Sequence, residues 1–289
     1  MKAYKSFLRL FIILVVLVFS LTGCNGEDNN TKSASNTSSE NSIKISYIDV
    51  GQGDSVLIQI NNKNLLIDAG PAESNDKLMS YLSKQNIKKF DYIITTHPHE
   101  DHIGGMSSII KKYNIGEFYA PKVTTNTKTF ETMVNALKSK NIKITAAKSG
   151  MNLDLGKNTK CEIIAPNNTK YEDLNDYSIV VKITYGSSKF LFTGDAEKTS
   201  EKEILSKNYD ISSDVLKVGH HGSSSSSSKA FLDKVSPKIA IISCGKNNDY
   251  GHPHRETLNE LKNRNVKVYR TDVDGTIILT SDGNKIVKQ

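Results

Sequence analysis

The sequence predicts an α/β protein in which two mixed β-sheets pack face to face with helices outside, an αββα sandwich. Three observations predict it. Short β-branched or alternating runs recur from Ile43 onward, helical patterns separate many of them, and each half of that stretch opens with hairpin strands before turning to strand–helix alternation. An apolar content of 37% with 24% charged residues suits a folded chain and excludes a disordered one. With 18 Gly, 6 Pro and 3 Cys, collagen-like and disulfide-dense scaffolds are excluded as well.

Ile43–Val50 and Val56–Ile60 read as strands joined by the turn Gly51-Gln52-Gly53-Asp54. Leu65–Ile67 is a third strand, stopped by Asp68-Ala69-Gly70-Pro71. A helix is expected over Asn75–Gln85, then a strand over Asp91–Thr95. Helices near Ile103–Lys112 and Thr129–Lys140 alternate with strands at Glu117–Ala120 and Lys143–Ala146. The second half opens with strands at Glu162–Ile164, Ile179–Tyr185 and Lys189–Phe192. A helix (Ala196–Ser206), a strand (Val215–Val218), a helix (Lys229–Val235) and a strand (Ile239–Ser243) follow. A helix near Thr257–Arg264 and short strands at Val266–Tyr269 and Thr276–Leu279 close the chain. Residues 43–289 contain no linker-like stretch and read as one domain.

The N-terminus reads as an address. Lys2, Lys5 and Arg9 precede the apolar run Leu10–Phe19, and Leu21-Thr22-Gly23-Cys24 follows. A basic start, a short apolar core and a small-residue cleavage site make a secretory signal over residues 1–23. The run is shorter than the roughly 20 residues that span a bilayer. Leu-Thr-Gly-Cys resembles the lipobox of bacterial lipoproteins, which implies lipidation of Cys24 and residence on the extracytoplasmic face of the cell membrane. Residues 24–42 hold no large apolar side chain after the Cys and read as a flexible tether. Loss of residues 1–23 lowers the formal charge of +7 by three, to a mild +4, which does not by itself argue for nucleic acid. Cys161 and Cys244 sit in apolar runs and are expected as buried thiols.

The seven His fall in three places: His97, His99 and His102; His220 and His221; His252 and His254. The first group, Thr96-His97-Pro98-His99-Glu100-Asp101-His102, follows a strand and precedes a helix. Ligands at a strand end converge on the sheet edge, where α/β sites lie. His97 and His99 can chelate one metal, while Asp101 and His102 reach a second. Imidazole with carboxylate suits Zn or Mn rather than Ca or Mg.

This H-x-H-x-D-H pattern resembles the metal motif of the metallo-β-lactamase fold superfamily. The resemblance implies two divalent metals and further ligands. Asp195, ending Phe192-Thr193-Gly194-Asp195, takes the place of the metal-bridging Asp, although Asp there also suits a helix N-cap. In Val218-Gly219-His220-His221-Gly222-Ser223, one His is expected on metal and the other on substrate; His221 is preferred as ligand, and His220 as substrate contact. The superfamily often brings another His to the first metal, but none lies between His102 and His220. Asn175 and Asp176 occupy that stretch as weaker oxygen donors.

Tyr47-Ile48-Asp49-Val50-Gly51-Gln52-Gly53-Asp54-Ser55, Leu66-Ile67-Asp68-Ala69-Gly70, Asn175-Asp176-Tyr177-Ser178-Ile179-Val180, Leu216-Lys217-Val218-Gly219-His220-His221-Gly222-Ser223 and Tyr250-Gly251-His252-Pro253-His254 follow in order. Together they resemble the soluble metallo-β-lactamase-like domain of the ComEC competence family, over almost all of residues 43–289. The chain is expected to be that domain alone, without the membrane channel. The resemblance implies a metal-dependent phosphodiesterase, a nuclease with DNA as leading substrate and a link to DNA uptake. Asp101, His220 and Ser223 would act in catalysis, with His220 and Ser223 on the phosphate. Gly51, Gly53 and Gly222 would let backbone approach the ligand closely. Asp68 would orient a ligand His, Asp54 would stand behind the site or at its mouth, and His252 and His254 would line the mouth or serve the start of the last helix. Ser223–Ser228 reads as a mobile polar loop. A rival is a cell-surface phosphorylcholine (teichoic-acid) phosphodiesterase, which needs an aromatic cage for the quaternary ammonium. A non-catalytic DNA receptor is a third reading.

Overall fold

The computed structural model describes residues 42–289. The signal segment, Cys24 and the tether up to residue 41 lie outside the described residues. Among the described residues no helix is long and apolar enough to cross a membrane.

The first sheet contains β1 (Ile43–Tyr47), β2 (Val56–Ile60), β3 (Lys63–Ile67), β4 (Lys89–Ile94), β5 (Asn114–Ala120) and β6 (Ile144–Ala146) in sequence order. The second contains β7 (Asn152–Leu153), β8 (Thr159–Ala165), β9 (Val180–Tyr185), β10 (Ser188–Phe192), β11 (Val215–Lys217), β12 (Ile239–Ile242) and β13 (Lys267–Arg270), likewise in order. Each starts antiparallel and turns parallel, at β3–β4 and at β10–β11. The last strands, β14 (Ile277–Ser281) and β15 (Ile286–Lys288), return to the first sheet, where β14 pairs antiparallel with β1. Sheets that are mixed and layered between helices match the expected sandwich.

Alternation decides the layers. Ile43, Ile45 and Tyr47 of β1 face Val181, Ile183 and Phe192 across the gap between sheets, where the Tyr47 and Phe192 rings stack at 6.0 Å. The opposite face of the first sheet takes helices α1 (Asn75–Ser83), α3 (Met106–Lys112) and α4 (Lys128–Ser139), which bring Leu78, Ile109 and Met133 onto Leu66, Phe90 and Ile93. The outer face of the second takes α5 (Lys198–Ser206), α6 (Lys229–Val235) and α7 (Arg255–Asn263) through Ile204, Phe231 and Leu261. Each such fully buried side chain contributes about 1.5–3 kcal/mol. Thr127 caps α4 by accepting from Phe130 N at 3.3 Å, a bond worth about 1 kcal/mol.

The helix expected over Ile103–Lys112 is divided. A single turn, α2 (Glu100–Ile103), carries the ligand loop, and α3 starts only at Met106. Between them Gly105 N donates to Gly70 O, which docks the chain on the end of β3. Strand β7 and the short helix α8 (Thr271–Asp274) carry too few residues to show a period, and sequence reading omits them. Cys161 and Cys244 are buried free thiols as expected.

Candidate metal centre

Every candidate ligand sits just past a strand. The loop after β4 holds His97, His99, Asp101 and His102, the exit of β10 holds Asp195, and the exit of β11 holds His220 and His221. These strand ends meet at one edge of the sandwich. One ligand atom from each of Asp101, His102, Asp195 and His221 lies within 4.8 Å of all the others. Asp195 Oδ2 is 3.3 Å from both His102 Nε2 and His221 Nε2, and His221 Nε2 is 3.1 Å from Asp101 Oδ2. His102 Nε2 and Asp195 Oδ1 are buried without a hydrogen-bond partner. Buried polar atoms are almost always paired. Two orphans converging among imidazoles and carboxylates fit a divalent metal, which would satisfy both.

His97 approaches from the other side, with Nε2 at 4.0 Å from Asp195 Oδ2 and 2.9 Å from His99 Nδ1. Asp195 therefore stands between two donor groups, as a bridging residue must. It is no N-cap: α5 starts at Lys198, and Asp176 Oδ1 accepts from Glu197 N and Ser200 N at that helix start. Asp176 thus serves α5 rather than a metal. Asn175 does line the cavity, and its Oδ1 is buried and unpartnered, so the first group has an amide oxygen where a third imidazole was sought.

The supporting shell is specific. Asp68 Oδ2 accepts from His102 Nδ1 at 2.8 Å, and both its oxygens are held by Thr96, which points His102 Nε2 at the centre. His221 Nδ1 donates to Ser243 O at 2.9 Å and lies 3.5 Å from Asp54 Oδ1. Asp54 forms a buried ion pair with Lys217, a residue sequence reading passed over because one Lys in the strand Val215-Leu216-Lys217 looks like a solvated position. His220 Nδ1 donates to Glu197 Oε1 at 2.8 Å, and Ser225 Oγ and Asn175 Nδ2 donate to the same oxygen. Glu197 was also missed; its position two residues after Asp195 was the available signal.

His220 and His221 both have left-handed backbone, with φ of 46° and 51°. Such conformations cost of order 1–3 kcal/mol each and persist where surrounding bonds impose them. Here they turn the chain sharply at the end of β11, sending the His221 ring to the Asp101 and Asp195 carboxylates and the His220 ring to Glu197. Gly53 serves a different purpose from the one expected. A Cβ there would lie 2.3 Å from Asp101 O, so its missing side chain lets backbone meet backbone rather than ligand. Gly222 likewise makes room for Pro253.

Electrostatics follow from these contacts. Burial raises the Asp101 and Asp195 carboxyls, but the His102 and His221 cations overcome it and hold both below the ordinary carboxylate range. Burial alone would lower His102 and His221, yet Asp195 and its neighbours raise them in the metal-free protein. His97 goes the other way, lowered by burial and by the nearby His102 cation. The carboxylates are thus ionised and ready, while metal would displace protons from two of the rings.

The centre opens into a cavity of about 690 Å³ whose wall includes His99, Asp101, Asn175, Asp195, His220 and His252. His252 is pushed down to about 4, first by burial and then by the charge of the neighbouring His221. His254 stays outside; its ring accepts from Ser224 N and donates to Tyr250 O, so it braces the start of α7. Ser223 does not face the cavity either. Its Oγ bonds Ser225 within its own loop, which withdraws it from the phosphate role expected of it. That loop is pinned rather than mobile: buried Glu201 accepts from Ser227 N and Ser228 N, and Ser226 Oγ donates to Gly219 O.

The sequence model of the metallo-beta-lactamase superfamily matches residues 48–246. The chain is 33% identical over 252 residues to the ComE operon protein 3 of Bacillus subtilis, covering 81% of this chain and 32% of that protein. It is 30% identical over 240 residues to the competence protein ComA of Neisseria gonorrhoeae, covering 82% and 32%. A shorter match, 37% over 101 residues, joins it to the exodeoxyribonuclease WalJ of Streptococcus pneumoniae, covering 34% of this chain and 35% of that protein. The chain therefore spans about a third of the length of the two competence relatives.

Proposed function

The chain belongs to the metallo-beta-lactamase superfamily, and from that premise we propose that this metal-dependent hydrolase is a phosphodiesterase that cuts DNA, held by a lipid on the outer face of the cell membrane. The observation that carries the reading is Asp195, set between the donor group Asp101, His102 and His221 and the pair His97 and His99. Such a constellation suits two divalent ions, Zn or Mn, which when bound supply Lewis-acid polarisation of a phosphoryl oxygen. The chain's own residues do the rest. Asp68, Thr96 and the Ser243 carbonyl fix the ligand rings. His220 presents Nε2 to the cavity, 3.8 Å from Asp195 Oδ2, while Glu197 keeps Nδ1 protonated. It is placed to hydrogen-bond the phosphate and to hand a proton to the departing oxygen. The His220 hydrogen bond, against burial and aided by Ser225 and Asn175, keeps the Glu197 carboxyl below its usual range.

DNA as substrate, and a link to its uptake, draw support from the competence proteins and the exodeoxyribonuclease to which the chain is similar. The membrane address rests on the basic start, the apolar run and Leu21-Thr22-Gly23-Cys24. The test is hydrolysis of linear DNA and of a phosphorylcholine ester by the purified chain, with Mn and Zn supplied separately. DNA cleavage that disappears in Asp195→Ala is expected. Turnover of the ester alone would refute the nuclease reading.

A further inference from the structure

The segment Gly245–His252 forms one wall of the cavity, and nothing in the hydrolytic chemistry uses its tip. Tyr250 sits there 68% exposed, with its ring stacked on His252 at 5.6 Å and 19°. His252 in turn lies 5.3 Å, ring to ring, from His220. An exposed ring so placed is costly in water, yet the chain builds it rigidly. Asn248 accepts from His252 N and donates to both Gly245 O and His252 O, and Gln52 accepts from Gly245 N. One face of Tyr250 is thus backed by an aromatic neighbour, and the other is free.

We propose that Tyr250, backed by His252, is a stacking platform for one unpaired nucleobase of the strand whose phosphodiester lies at His220; this rests on the phosphodiesterase reading above. A base inside a duplex has both faces covered, so the platform selects a single strand or a frayed end. Base–aromatic stacking tolerates any base, since each has a π-face. The alternative occupant of an exposed ring, a quaternary ammonium, needs several rings around it. Among the described residues Tyr250 is the one Tyr or Phe on the cavity wall, and the charges of Lys246 and Asp249 on the same segment oppose each other. The platform offers one flat face and no cage.

The test uses the full chain loaded with Mn and a cleavage-resistant phosphorothioate oligothymidylate, alongside a sugar–phosphate strand of equal length without bases. Fluorescence anisotropy reads binding. Tyr250→Leu is expected to weaken the base-bearing strand about 5- to 140-fold, the equivalent of about 1–3 kcal/mol for one stacked base, and to leave the baseless strand unchanged. Tyr250→Phe, which keeps the ring, should bind like the parent. Equal loss on both strands, or no loss on either, overturns the platform, as does a blunt duplex bound as tightly as the single strand. Should Tyr250→Leu instead slow hydrolysis of a phosphorylcholine ester while strand binding is untouched, the ring serves a cation and the proposal falls. A parent chain that binds bases through Tyr250 but cleaves no DNA would remove the nuclease reading and leave the platform supported.

Discussion

Replacing Lys217 with Met removes one charge of the buried pair that stands behind the His221 ring. The Lys217 and Asp54 side chains are 1% and 4% exposed, so neither charge has water to fall back on. The nearest substitute partner, His221 Nδ1, is 3.5 Å from Asp54 Oδ1 but already donates to Ser243 O at 2.9 Å. Met fills a similar volume, so packing is nearly conserved and the change isolates the charge. Removing one member of a buried pair costs about 3–5 kcal/mol, because the other is left ionised in a poor solvent. For a domain of this size each kcal/mol moves Tm by about 2–4 °C, so a fall of about 6–20 °C is expected in a thermal melt. The double variant Lys217→Met with Asp54→Asn, which holds no buried charge at this point, should recover most of the loss. A Lys217→Met melt within about 2 °C of the parent, or a double variant as unstable as the single, would refute the reasoning.

Three further outcomes are expected. Asp101→Ala and Asp195→Ala should each lower hydrolysis by at least about a hundredfold while the circular dichroism spectrum stays native, because each removes a charged ligand from a rigid strand end; an active Asp195→Ala variant would show that it does not bridge. Metal at the His97–His99 side should be the weaker bound, since beyond the shared Asp195 it has only the Asn175 amide oxygen where the other side has a further imidazole and carboxylate, and dialysis against a mild chelator should take one ion per chain first; two equal, tight sites by calorimetry would contradict this. Cys24→Ala should move the protein from the membrane fraction to soluble or precursor forms, and unchanged membrane residence with normal processing would sink the anchor.

The features legible in the sequence are those that repeat or cluster. Alternating runs such as Ile43-Lys44-Ile45 and Val180–Tyr185 announce strands, and three His with an Asp in six residues announce a metal. Asp195 and His221 could be placed because they end strands and match a family pattern. Lone polar residues with tertiary partners could not. Lys217, Glu197 and Glu201 acquire their roles only from Asp54, His220 and the serine loop, which lie 23 or more positions away. Asp176 and Ser223 show the reverse error. Each is the right residue type in the right string, yet the distant start of α5 claims the Asp176 carboxylate and the serine loop's own backbone claims the Ser223 hydroxyl.

The pairing of β1 with β14 sets an order of assembly. Every proposed metal ligand has left the ribosome by His221, but Ile43 must wait for Ser281, and Asp49 N for the Thr276 hydroxyl. A nascent chain therefore carries a complete donor inventory before it has the edge that steadies the Gly51–Asp54 turn against Asp101. Contacts so distant in sequence form late, because loop closure must precede any return from pairing. A truncation that removes only β14 and β15 would spare every proposed ligand and still strip β1 of the strand that pairs with its outer edge.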